Sequence, residues 1–298
     1  MRDDVVESIG RGTLRMMQST LAAPVAYRLR LGDGSIPLNE LLGRRLSIRF
    51  DGMITCQNCG NVTRKSYGDG YCYRCFKTLA RCDLCVVSPD RCHFAAGTCR
   101  EPEWGESFCM QPHRVYLANS AGAKVGITKP ENLPTRWLDQ GATQAMVVMQ
   151  TRSRMQAGCV EAALARYVGD RTDWRGLIGG DAVDIDLPAL AARLRIEAAV
   201  ELAALDARFP EALTWVAEPV PQRFQYPVMT YASPAHGLAL EAGGEIVGTL
   251  VGIKGQYLMF DTGVFNVRRH TSYHVDVVRL PDAPLVVDGA PRDQMELF

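Results

Sequence analysis

Nine of the ten cysteines lie between residues 56 and 109. No other feature constrains the fold as tightly. The opening MRDDVVESIG is acidic and has no apolar h-region, so no secretory signal is read and a cytoplasmic chain is expected. Thiols there stay reduced, and clustered thiols then point to metal rather than disulfides. Segment 56–112 is also poor in aliphatic residues, so metal would replace a missing core.

The first set reads Cys56-Gln-Asn-Cys59, twelve residues, Cys72-Tyr-Arg-Cys75. Each CxxC knuckle turns two thiolates onto one tetrahedral ion, and the loop folds the second pair onto the first, as in a zinc ribbon. Gly60 and Gly70 suit the tight backbone beside such knuckles. The second set is less regular: Cys82-Asp-Leu-Cys85, then Cys92, His93, Cys99, Cys109 and His113. Cys82 and Cys85 are expected to form a knuckle completed by two of Cys92, Cys99 and Cys109, and spacing does not order these. Two zinc ions are therefore expected, both structural, because four protein ligands leave no open position. Cys159, alone in a helical pattern, reads as a small buried hydrophobe.

Net charge is zero but unevenly spread. Residues 43–82 hold eight Lys/Arg against Asp51 and Asp69, or +6, and residues 181–218 hold eight acids against three arginines, or −5. The first segment hints at an anionic partner. A zinc with four thiolates carries about −2, which offsets part of that surplus. Tyr67, Tyr71, Tyr73 and Phe76 interleave with Arg64, Lys65, Arg74 and Lys77, a mixture suited either to stacking on single-stranded nucleic acid or to packing over the zinc knuckle. No apolar run approaches membrane-spanning length, so no membrane partner is expected.

Periodicity predicts an α+β chain: a cysteine-rich zinc module plus an α/β domain, with β-rich N- and C-terminal segments. The expected divisions are 1–55, β-rich; 56–112, zinc-binding; 113–180, α/β; 181–218, helical linker; and 219–298, β-rich. Strands are expected at 24–31, 46–55 and 145–151, and helices at 134–140, 155–168 and about 187–208. The N-terminal strands are candidates to join the C-terminal sheet, since neither end alone looks long enough to close one.

Residues 113–128, HRVYLANSAGAKVGIT, read as a hairpin. Alternation puts Val115 and Leu117 with Val125 and Ile127 on one face. The other face carries Arg114, Tyr116, Lys124, Gly126 and Thr128. A turn centred near Ala121 sets Tyr116 opposite Gly126, which leaves open space above the phenol ring.

Arg114-Val115-Tyr116, Lys124-Val125-Gly126, Arg136, Gln140 and Glu161, in that order, resemble the GIY-YIG nuclease superfamily over residues 114–175. The resemblance implies an α/β domain in which Glu161 holds Mg²⁺ on a phosphate oxygen. It implies that Tyr116 helps deprotonate water, with Lys124 lowering its pKa or acting as base, and that Arg136 stabilises the transition state. Lys124 stands where the family usually has tyrosine, and Gln140 where it often has His or Tyr; glycine is missing from the first motif. A wider resemblance rests on CDLCVVSPDRCHFAAGTCREPEWGESFC, PTRWLDQGATQA and GIKGQYLMFDTGVFNVR together with the hairpin. By these the chain is similar to the bacterial and archaeal DUF2797 family. The resulting expectation is a zinc-stabilised nucleic-acid-binding protein with a Mg²⁺-dependent endonuclease site. The alternative is a non-catalytic adaptor for RNA, a ribosome or a protein.

Overall fold

The computed structural model describes residues 6–168, 174–180, 182–231, 236–241 and 243–281. Its largest element is an eight-stranded sheet made from both ends of the chain. The long strand Arg45–Thr55 pairs antiparallel with Tyr273–Arg279 on one side and Glu245–Lys254 on the other. Glu7–Thr13 adds outside Tyr273–Arg279. The division drawn between 1–55 and 219–298 thus separates strands that hydrogen-bond to each other. A three-stranded sheet of Gln18–Thr20, Ala26–Leu31 and Gly34–Pro37 packs beside it. In Ala26–Leu31 the apolar residues Tyr27, Leu29 and Leu31 are buried and the arginines between them exposed, as alternation requires.

The central domain has five strands. The hairpin His113–Asn119/Ala123–Thr128 is followed by a short helix, Thr135–Asp139, the strand Gln144–Thr151 beside His113–Asn119, and the helix Arg154–Leu164. Tyr116 pairs with Gly126 and Ala118 with Lys124. Val115, Leu117, Val125 and Ile127 join one core with Val160 and Leu164. Tyr116 and Ala118 face the other core, with Trp137 and the large sheet. Both faces of the hairpin are therefore covered, and burial fixes its register.

The helix expected over about 187–208 is two helices, Leu187–Glu197 and Ala199–Arg208. Ala198 at the break is fully buried, so packing and not a breaker residue sets the bend. The helix expected to end at Gly169 gives way after Leu164 to a 3₁₀ turn, and Gly169 lies outside the described residues. No helix among the described residues is long and apolar enough to cross a membrane.

The zinc-module segment docks on the C-terminal sheet. Ser272 Oγ donates to the Gly70 carbonyl at 2.7 Å, Ser66 Oγ to the Thr271 carbonyl at 3.1 Å, and Arg268 forks onto Asp69 at 2.8 Å on both oxygens. On its other side, Pro89 meets the Arg154–Leu164 helix where that helix carries Gly158. A Cβ at 158 would stand 2.5 Å from Pro89 Cβ.

A Cβ on Gly126 would stand 2.5 Å from both Cζ and Oη of Tyr116. Gly126→Ala is therefore expected to destabilise the fold by about 1–3 kcal/mol through overpacking. Denaturant unfolding checks this. Adding Tyr116→Ala should cost less than the sum of the two single changes, because the clash is gone.

Candidate metal centre and basic cleft

The Sγ atoms of Cys56, Cys59, Cys72 and Cys75 all lie within 4.8 Å of one another. Cys59 and Cys72 are 3.8 Å apart. Zinc–sulfur bonds of about 2.3 Å in a tetrahedron put sulfurs about 3.8 Å apart, so the set is compatible with structural zinc. Cys72 caps the short helix Tyr73–Thr78, accepting from the Cys75 amide. The knuckle backbone prepares a thiolate at Cys56. Burial raises its pKa, but amides including those of Cys59, Cys72 and Asn58 bring it to about 6. Burial together with the neighbouring thiols pushes Cys75 up to about 12.

The second set departs from the expected knuckle. Cys85, Cys92, Cys99 and Cys109 line one small enclosed cavity, while Cys82 lines a different and larger one. Asp83, Cys85 and His93 bring ligand atoms within 4.8 Å, but Asp83 also takes Arg100 at 2.7 Å.

The larger cavity is a cleft of about 610 Å³ between the zinc-module segment, the central domain and the large sheet. Five cations line it: Arg81, Lys129, Arg136, Arg154 and Arg268. Three acids do as well, of which Asp69 is held by Arg268 and Asp83 by Arg100. The third is Glu161. Arg154 and Glu161 are seven residues apart, two turns along one helix, and so share a face. Arg136 projects from a helix whose Trp137 and Leu138 are buried. That helix is tied to both ends of the chain through Asp139 Oδ1, which accepts from Ser19 at 2.9 Å and Gln256 at 3.1 Å.

Tyr116 does not line the cleft. It lies fully buried behind it and donates to Gln140 Oε1 at 2.9 Å. Burial raises the phenol's pKa, and Arg136 beside it opposes that rise. As placed, Tyr116 holds Gln140 through its hydroxyl. Lys124 shares its face but sits opposite Ala118, toward the turn, and is not among the cleft's lining residues. Of the five residues taken from the resemblance, Arg136 and Glu161 reach the cleft, Tyr116 and Gln140 support it from behind, and Lys124 stands apart.

Two groups at the cleft were not legible as site residues. Arg154 is largely buried and donates to the Val86 carbonyl at 2.6 Å, while its Nε has no partner. His113, among the surplus donors of the cysteine segment by sequence, is 1% exposed. Its Nδ1 meets the Gln111 carbonyl at 2.8 Å, which makes Nε2 the lone-pair nitrogen, and Nε2 has no partner. Their pairing arises from long-range packing, which no local pattern signals. Tyr67, Tyr73 and Phe76 pack together, with Tyr67 5.4 Å from Tyr73 and 5.7 Å from Phe76. Tyr71 and Phe76 face the cleft, while Tyr73 remains exposed.

A family model described as "Protein of unknown function (DUF2797)" matches residues 43–275, and the chain belongs to that family. No curated protein and no solved structure matches it.

Burial lowers the His113 pKa to about 4 from 6.5. The unfolded chain therefore takes up a proton that the folded chain refuses between those values. The stability conferred by neutral His113 is complete above pH 6.5 and is lost as pH falls toward 4. It amounts to about 2 kcal/mol, and His113→Asn, which keeps a donor for Gln111, should flatten that part of the pH–stability curve. Cys72→Ser is expected to remove about one zinc per chain, read by metal analysis, with loss of protection in residues 56–78 by hydrogen exchange.

Proposed function

We propose that the protein binds nucleic acid through its phosphate backbone, with the cleft between the zinc-module segment and the central domain as the seat. One observation carries this reading: the half-buried, cationic Arg154 presents a buried, unpartnered Nε where Arg136, Lys129, Arg81 and Arg268 also converge. A buried guanidinium donor without a partner is costly unless an anion completes it. Phosphate, with several acceptor oxygens, suits such a set of forks. Zinc at Cys56, Cys59, Cys72 and Cys75 would hold rigid the segment that forms one wall. The exposed Tyr73 ring, with Arg74 and Lys77 near it in sequence, offers a stacking surface beyond the cleft.

Phosphodiester hydrolysis is the second reading. The order hairpin, short helix, strand, helix supports it, as does the meeting of Arg136 and Glu161 in one cleft. Glu161, which lines the cleft on the same helix face as Arg154, is the carboxylate that would hold Mg²⁺. One or two carboxylates suffice where substrate phosphate supplies further oxygens. Bound there, Mg²⁺ would polarise the phosphate and stabilise the leaving oxygen. Arg136 would stabilise charge on the phosphoryl oxygens, and His113 Nε2 is a neutral acceptor placed to take a proton from water.

Fluorescence anisotropy with short single-stranded and duplex DNA and RNA tests the binding. Arg154→Ala and Arg136→Ala should each weaken binding about tenfold and lower the salt slope by about 1. Unchanged affinity in both variants would refute the cleft as the seat. Cleavage in Mg²⁺ that disappears in Glu161→Gln while binding persists supports hydrolysis. Binding with no cleavage by the wild-type chain leaves the adaptor reading.

A further inference from the structure

Three ligand atoms of the second cysteine segment gather closely. Those of Asp83, Cys85 and His93 all lie within 4.8 Å of one another. The three residues line one small cavity with Cys92, Cys99 and Cys109, while Cys82 lines the cleft instead. The cavity measures about 10 Å³, room for one water-sized sphere and so for one metal ion.

The orientation of His93 identifies the occupant as a cation. Thr98 Oγ1 lies 2.8 Å from His93 Nδ1 and gives its own proton to the His93 carbonyl at 3.3 Å. It therefore accepts from Nδ1, and Nε2 carries the lone pair. That nitrogen stands 3.5 Å from Asp83 Oδ2. Two acceptors so placed repel unless a cation stands between them. A shared proton would draw them into a hydrogen bond of about 2.7–3.2 Å, and they stand farther apart than that. Bonds of about 2.0–2.1 Å to a tetrahedral ion set nitrogen and oxygen about 3.4 Å apart, close to the spacing found.

Arg100 supports this position and does not compete for it. Its Nε reaches the same Asp83 oxygen at 2.7 Å and so fixes the carboxylate, as outer partners of ligating carboxylates do. Its Nη1 is held in turn by the Phe76 and Leu79 carbonyls at 3.4 and 3.2 Å. A divalent ion with Asp83 and two thiolates carries a formal charge of about −1, which the guanidinium offsets. Cys99 Sγ donates to the Glu101 carbonyl at 3.5 Å, which leaves Cys92 or Cys109 to supply the second thiolate.

We propose that Asp83, Cys85 and His93 hold a second zinc ion, with Cys92 or Cys109 as the fourth ligand. Oxygen, nitrogen and sulfur donors together suit zinc, and four of them close its shell, so the ion is structural. Cys82, a ligand by its spacing in sequence, stays outside. Asp83 lines the cleft as well as the cavity, so the ion also fixes that stretch of the cleft wall. The site stands whatever the cleft binds.

The full chain, purified without chelator, is incubated with zinc, desalted and analysed for metal. The wild type should hold about two zinc ions, and Cys82→Ser should keep both. His93→Ala and Cys85→Ser should each lose about one, and His93→Ala combined with Cys72→Ser should lose both. One zinc in the wild type, or two in His93→Ala, would overturn the proposal. So would loss of an ion from Cys82→Ser. X-ray absorption at the zinc edge identifies the donors in the wild type and needs no variant. Averaged over the two sites, about three sulfur neighbours and one nitrogen or oxygen per zinc are expected. Four sulfurs per zinc would overturn the proposal, and this spectrum decides the matter should His93→Ala fail to fold.

Discussion

A guanidinium nitrogen taken out of water needs a partner, and the buried Nε of Arg154 is the constraint around which the cleft is organised. Its helix cannot turn away, because Ala157, Gly158 and Val160 are buried in packing against the rest of the chain. Gly158 permits contact with Pro89, and the Arg154 amide is fixed to the Cys109 carbonyl. The charge is therefore held between two cysteine-bearing segments and the hairpin. Nearby Glu161 softens its cost, and a ligand phosphate would complete it.

Metal enters the account as a substitute for core. The eight-stranded sheet and the central domain have extensive apolar interiors of their own. Among the described residues, few large apolar side chains from 56–112 join those interiors. That segment nevertheless supplies one wall of the cleft, including Tyr71, Phe76, Arg81 and Val86. Three anchors on the C-terminal sheet, at Asp69, Gly70 and Ser66, hold it, and zinc at Cys56, Cys59, Cys72 and Cys75 would stiffen it further. The cleft thus depends on residues far apart in sequence, from Gly68 to Arg268.

This dependence explains what the sequence could convey. The hairpin was legible to the residue, because period-two alternation and a short turn leave one register with a buried face, and that register places Gly126 over Tyr116. The first cysteine set was legible because CxxC geometry is local. At Cys82 and Cys85 the local pattern conveys less: Cys85 lines a small cavity with Cys92, Cys99 and Cys109, and Cys82 lines the cleft. His113 and Arg154 carry no motif; what marks them is burial without a partner, a property of the folded chain alone. The strand pairing of residues 7–13 and 45–55 with 245–279 crosses most of the chain and has no short-range signal beyond alternation.

The most direct test of the central claim is hydrogen–deuterium exchange of the full chain with and without a short single-stranded oligonucleotide. The account predicts slowed exchange at the segments that meet in the cleft: 68–71, 127–136, 154–161 and 266–270. Protection confined to other surfaces, such as the helices of residues 187–208, with these four segments unchanged, would contradict it.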